Sequence, residues 1–258
     1  MIDTTVIETT GRAARTLEGE TAIVTGAGRG IGRAIALALA RAGAAVAVAS
    51  RSKDEIERTK AEIEAEGGKA LAFAADVTSR TAVEDLVAKA REVTGRLDIV
   101  VNNAGVFVWK ELGALEEAEW DRVLDTNLKA SYLLVRAALP ALVASGRGRI
   151  LNVSSIHGTI GDANVVAHCA AKFGLVGLTK ALAAELRGVN VTVNALCPGS
   201  TDNRSRELSG RPRATPLTEK LDAHDVAAAA LFLVSPGAAA ISGAVLDVWG
   251  GTTVSITG

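Results

Sequence analysis

The stretch Thr21-Ala22-Ile23-Val24-Thr25-Gly26-Ala27-Gly28-Arg29-Gly30-Ile31-Gly32 runs from an apolar segment through a glycine-rich turn into a helical pattern over Ile31–Ala42. An apolar, partly β-branched run of this length predicts a buried strand. Glycines let the chain turn sharply and let the backbone approach a ligand closely. The helix behind them offers unpaired N–H groups and the positive end of its dipole, which suits a pyrophosphate. Glycines serve plain turns in many proteins. Their position between a strand and a helix, at the start of a strand–helix–strand unit, is what favours dinucleotide binding here.

Outward from this turn the alternation repeats. Apolar runs predict strands at Thr21–Thr25, Ala45–Ser50, Leu71–Ala75, Leu97–Val101, Arg149–Val153, Val191–Leu196 and Ala244–Val248. Helical spacing covers Ile31–Ala42, Lys53–Glu66, Thr81–Thr94, Glu117–Ala144, Val165–Arg187 and Asp222–Leu233. Strictly alternating strands and helices imply an α/β chain: a single Rossmann-type, doubly wound domain with a parallel seven-stranded sheet and helices on both faces. Residues 1–18 read as a flexible N-terminal arm, 19–258 as the domain, and 203–218, rich in Arg, Ser, Gly and Pro, as a short lid over the site.

The 258 residues are 48% hydrophobic, enough for a sizeable core, and carry a formal net charge of -1. That balance argues against a nucleic-acid partner, which calls for a basic excess. The two cysteines, Cys169 and Cys197, form no disulfide framework and no metal cluster, so no metal and a reducing, cytoplasmic setting are expected. Met1 to Leu17 has no apolar core of a signal peptide. Val226–Leu246 is uncharged and long enough to span a bilayer, but Ser235-Pro236-Gly237 and Ser242-Gly243 divide it, so a helix, a turn and a strand are expected rather than a membrane segment.

The end of the second strand selects the cofactor. An acid there would bond the ribose 2′-hydroxyl of NAD. The chain has Ser50-Arg51, with Arg29 in the glycine turn. Two guanidinium groups suit a 2′-phosphate, so NADP(H) is expected over NAD(H).

Further segments join the glycine turn. Asp76-Val77 follows the third strand, Asn102-Asn103-Ala104-Gly105 the fourth, and Leu151-Asn152-Val153-Ser154-Ser155 forms the fifth. Asn127 lies in the long helix, Asn194-Ala195-Leu196-Cys197-Pro198-Gly199 follows later, and Leu246-Asp247-Val248-Trp249-Gly250-Gly251 closes the pattern. In this order, over almost all of residues 17–252, they resemble the short-chain dehydrogenase/reductase family, in particular its 3-oxoacyl-ACP-reductase-like members. The resemblance implies an oxidoreductase acting on a secondary alcohol or ketone as small-molecule substrate, and a homotetramer or homodimer paired through the long helices, around Tyr132–Leu142. It assigns Gly26, Arg29, Gly30, Ile31, Gly32, Ser50, Arg51, Asp76, Val77, Asn103, Ala104, Gly105, Lys172, Pro198, Gly199 and Thr201 to the cofactor. It assigns Asn127, Ser155, residue 168 and Lys172 to catalysis, with Asn127 holding a water that links Lys172 to solvent.

One position departs from the family. Its general acid is the tyrosine of a YxxxK motif, thirteen residues beyond the serine, and that place holds His168, with Lys172 four later. Residues at i and i+4 share a helix face, so the lysine charge sits beside residue 168. A phenol titrates near about 10 and an imidazole near roughly 6.5, and a neighbouring cation lowers both. A neutral His168 is therefore expected near pH 7, a good proton acceptor and a poor donor, which favours alcohol oxidation over carbonyl reduction. The alternatives are a redox-impaired dinucleotide binder, natural or engineered, and a non-redox lyase or isomerase using His168 as base. His157, two residues past Ser155, is a candidate surrogate donor or substrate contact, while Ser154 competes with Ser155. His224 is read as structural and Tyr132, the only tyrosine, as packing.

Overall fold

The structure, a computed structural model, describes residues 15–202 and 221–249. Its strands are β1 (Thr21–Thr25), β2 (Ala45–Ser50), β3 (Lys69–Ala74), β4 (Ile99–Asn102), β5 (Gly148–Val153), β6 (Val191–Pro198), the two-residue β7 (Thr201–Asp202) and β8 (Leu221–Asp222), and β9 (Val245–Val248). The helices are α1 (Gly30–Arg41), α2 (Lys53–Ala65), α3 (Arg80–Thr94), α4 (Glu117–Leu124), α5 (Ala130–Ala144), α6 (Val166–Glu185) and α7 (Ala223–Val234). Seven strands form one sheet in the order β3-β2-β1-β4-β5-β6-β9, and every pairing in it is parallel. The strand order reverses between β1 and β4, so the crevice beyond their carboxyl ends is where such a sheet takes its ligand.

Each strand serves two faces because successive side chains alternate. Ala22 and Val24, Val46 and Val48, Ile99 and Val101, and Leu151 and Val153 join one core with α1, α7 and part of α2. Ile23, Ala47, Ala49, Val100, Ile150 and Val193 join the opposite core with α3 and α5. Burial on both sides explains why these strands read as continuous apolar runs. Charge collects instead at their amino ends: buried Asp98 accepts from the Thr21 N–H at 2.9 Å and from the Arg96 guanidinium. Arg147 stands 3.4 Å from Glu20 and 3.5 Å from Asp98.

The expected elements are present, with shifted ends. The predicted helix over residues 117–144 runs unbroken through α4 and α5, with a π turn at Asp125–Lys129 between them that the helical pattern does not announce. The uncharged stretch over 226–246 is α7, the short turn Pro236–Ala238 and the start of β9. Among the described residues, α6 alone is long and apolar enough to cross a membrane by length and composition; here it packs along β6 and the π turn. Leu17 is buried and donates to the Ala42 carbonyl at 2.9 Å, so the folded part begins before the expected boundary at 19. The rest of the arm and the lid at 203–218 lie outside the described residues. Tyr132 is 45% exposed and its hydroxyl accepts from Arg136, which corrects its reading as a packing residue. Asp222 caps α7 by accepting from the His224 N–H at 2.9 Å, and the His224 ring Nδ1 lies 2.9 Å from the same oxygen, a structural contact.

Candidate active site

The glycine turn occupies the switch point between β1 and β4. Gly26 and Gly30 take positive φ, 64° and 55°, a conformation that favours glycine. A Cβ at Gly32 would collide with the Gly26 carbonyl and the Asn103 amide. Asn103 fastens the turn from the neighbouring strand: its Nδ2 donates to the Thr25 carbonyl at 2.9 Å and the Gly26 carbonyl at 3.3 Å. The backbone N–H groups of Asn103 and Ala104 donate to the Thr25 hydroxyl at 3.0 and 3.1 Å. Helix α1 opens with no side-chain cap and no acid in its first turn. A close-packed glycine cradle under an uncapped helix start fits the pyrophosphate of a dinucleotide. Ile31 packs from this helix start onto the core.

At the adenosine end, Arg29 and Arg51 are exposed and Ser50 is half-buried. Val77 is buried under Asp76. Asp76 accepts from the N–H and hydroxyl of Thr78 at 2.9 and 2.8 Å, and these bonds, with a smaller contribution from Arg51, hold its carboxyl below the usual range. Glu55 was not singled out from sequence. Its Cβ and Oε2 stand 2.6 and 2.9 Å from where a Cβ on Gly28 would lie, so a carboxylate leans over the turn beside Ser50. The signal was present in the first turn of α2, where acids favour the helix dipole.

The remaining candidates converge beyond β4 and β5. A chain of buried amides fixes the framework: Asn102 donates to Asn152 at 2.8 Å, Asn152 to Thr179 at 2.9 Å, and Thr179 to the Leu175 carbonyl at 2.8 Å. It ties both strands to α6, which carries His168 and Lys172. The π turn brings Asn127 inward to 1% exposure, and such wide turns recur at functional sites. Gly174 lets α6 press on this turn, since a Cβ there would lie 2.8 Å from Leu128. Gly105 leaves room on the other side, with a Cβ there 3.3 Å from Asn127 Oδ1. Asn127 Oδ1 accepts from the Val106 N–H at 2.7 Å, and its Nδ2 donates to the Val106 carbonyl at 2.9 Å. The same Nδ2 lies 3.4 Å from His168 Nδ1. Its side chain thus reaches from the Val106 backbone to the His168 ring.

The two serines separate. Ser154 is buried and donates to the Lys172 carbonyl at 3.0 Å, which commits it to packing. Ser155 is half-buried at the end of β5, and its Oγ accepts the His157 N–H at 3.2 Å. Lys172 is buried and donates to the Val153 carbonyl at 2.8 Å; burial lowers its pKa to about 8, so it is still an ammonium at pH 7. His168 is 8% exposed. Burial first, then the Lys172 and His157 charges, push its pKa down to about 3, against a small raising effect of the Val106 carbonyl. The ring is neutral at pH 7.

Aromatic rings surround it. Phe107 meets His168 edge-on at 4.9 Å between centroids, and His157 does so at 5.6 Å. Phe107 and Trp109 are 53% and 58% exposed and line the approach. Neither they nor Asp162, which lies 3.5 Å from His157 Nε2, was singled out from sequence. On the far side, Gly199 donates to the Val248 carbonyl at 2.9 Å and Thr201 bonds the Gly199 carbonyl at 3.0 Å. This holds the segment that begins at buried Pro198 beside β9.

A family model described as short chain dehydrogenase matches residues 20–212. A 3-oxoacyl-(acyl-carrier-protein) reductase of Vibrio harveyi is 38% identical over 192 residues, 72% of this chain and 78% of the relative. An inactive 2-(S)-hydroxypropyl-CoM dehydrogenase 2 of Xanthobacter autotrophicus is 36% identical over 200 residues, covering 72% and 86%. A short chain dehydrogenase of Burkholderia cenocepacia, solved in complex with NADP, superposes with a TM-score of 0.82 at 37% identity, covering 92% of this chain and 98% of that one.

Proposed function

The chain belongs to the short-chain dehydrogenase family, and from that premise we propose an NADP(H)-dependent oxidoreductase that interconverts a secondary alcohol and a ketone, with His168 as its acid/base. The observation that carries this reading is the grouping of Ser155, His168 and Lys172 at the carboxyl end of β5, next to a glycine cradle that fits a dinucleotide. The solved neighbour holding NADP supports the choice of cofactor, as do Arg29 and Arg51 at the adenosine end. When bound, the cofactor takes up or supplies the hydride. Ser155 hydrogen-bonds the substrate oxygen, and Lys172 keeps positive charge under it while holding the ribose. His168 carries no proton to donate at pH 7 and is the group placed to accept the alcohol proton; with a pKa of about 3 in the empty site it is a weak base, and oxidation over reduction at pH 7 rests on bound substrate and cofactor raising it.

The same reading takes the chain as one domain with 203–218 as its lid and a reducing, cytoplasmic location, in keeping with two free cysteines. It also takes a homo-oligomer joined through α5 and α6, where Tyr132, Val143, Val166 and Phe173 are exposed. The test is NADP+ reduction over a panel of secondary alcohols at pH 7–9, with the reverse reaction on the matching ketones. NADP+-dependent oxidation is expected. Tight NADPH binding with no turnover in either direction would overturn the proposal in favour of a dinucleotide-binding protein.

A further inference from the structure

We propose that His157, braced by Asp162, relays the proton of His168: it takes up the proton that His168 removes from the alcohol and passes it to solvent, and it returns one during reduction. The inference rests on the oxidoreductase reading above. It starts from a difficulty in that reading. The imidazolium formed at His168 lies beside the Lys172 ammonium and is almost out of water. It must lose its proton for a second turnover.

Few neighbours can take it. Lys172 is already an ammonium and is bonded to Val153. Both polar atoms of the Asn127 side chain are held by the Val106 backbone. Phe107 has no site for a proton. Among the described residues, the one other titratable ring in contact with His168 is His157, set at 84° to it with centroids 5.6 Å apart. Its Nε2 points to Asp162 Oδ2 at 3.5 Å, and the Asp162 side chain is 50% exposed while that of His157 is 17% exposed. The series His168, His157, Asp162 therefore runs from the buried site to water in two short steps. A small ring rotation or one bridging water closes the first, as catalytic contacts commonly tighten on substrate binding. An aspartate that fixes one imidazole nitrogen leaves the other to accept a proton and offsets the charge that results.

The step balances. The alcohol loses its hydride to the oxidised cofactor and its hydroxyl proton to His168. The proton then crosses to His157 and leaves through Asp162 or water, and no group in the relay changes oxidation state. The titratable groups packed against His157 are His168 from α6, whose ring is neutral at pH 7, and Asp162 from the loop.

The test uses the full chain and the variants His157→Gln and Asp162→Asn. In His157→Gln, kcat for alcohol oxidation should fall about tenfold or more, with KM and NADPH binding within about twofold. Imidazole buffer should restore a large part of the loss. Asp162→Asn should show a smaller loss of the same kind. In the cofactor-free protein, histidine ring NMR should show the protonation curve of His157 moving in Asp162→Asn, where the facing carboxylate is removed. An unaltered protein that turns over alcohols while His157→Gln keeps its kcat, or loses it without imidazole rescue, would overturn the relay alone. Superimposable His157 curves in the unaltered protein and Asp162→Asn would do the same. An unaltered protein with no turnover at all would overturn the relay together with the function it serves.

Discussion

Acid should weaken this fold through a single ring, and the effect can be measured without knowing the substrate. Unfolding returns His168 to water, where histidine titrates near about 6.5, whereas in the fold burial and Lys172 keep it neutral down to about 3. Above the upper value both states are neutral and the ring contributes no pH dependence. Between the two values the unfolded chain binds a proton that the folded chain refuses, so stability falls as pH falls, by about 1.4 kcal/mol per unit. From pH 7 to pH 5 the loss from this group amounts to about 2 kcal/mol, a large share of the roughly 5–15 kcal/mol that a domain commands. Urea unfolding at both pH values, on the unaltered protein and on His168→Gln, isolates the term, because the double difference cancels the carboxylates and the other histidines. The unaltered protein should lose about 2 kcal/mol more than the variant. Losses equal within about 0.5 kcal/mol would mean that the ring protonates in place, and the account of a neutral His168 would be wrong.

Five further outcomes follow from contacts described above. His168→Tyr should raise ketone reduction at pH 7 by about tenfold or more, since a phenol beside Lys172 is a better donor than a neutral imidazole; an initial-rate comparison with NADPH decides it. Arg51→Ala should weaken NADPH by about tenfold while leaving NADH nearly unchanged, and Glu55→Gln should tighten NADPH by a few-fold by removing a carboxylate from the phosphate end; fluorescence titration reads both. Gly32→Ala should cost at least about tenfold in NADPH affinity, because its methyl meets the Gly26 carbonyl. Asp98→Ala should destabilise the protein by about 3 kcal/mol in urea, leaving the Thr21 N–H and Arg96 without their shared acceptor.

Much of the architecture was legible because it depends on local pattern. Runs such as Ala45–Ser50 announce a strand buried on both faces, and the glycines announce the turn between β1 and α1. The π turn was not legible. Residues 117–144 keep a helical pattern throughout, and the widened turn at Asp125–Lys129 packs against α6 at Gly174, a contact distant in sequence. The candidate site divides in the same way. Ser155, His168 and Lys172 stand at spacings that sequence registers. Phe107, Trp109, Glu55 and Asp162 reach the site from other segments, and only the fold brings them near. The direction of the His168 shift followed from the nearby lysine, but its size could not, because burial is the larger cause.

The charged foot at the amino ends of the strands has a consequence for how such a protein changes over generations. Glu20, Asp98, Arg96 and Arg147 brace one end of the sheet, while residue 168 and its neighbours occupy the other. Separated by the length of a strand, the two ends can be altered independently. A lineage can trade a tyrosine for a histidine, or rewrite the residues around it, without loosening the foot. An engineer seeking heat tolerance can rework the foot and leave the catalyst as inherited.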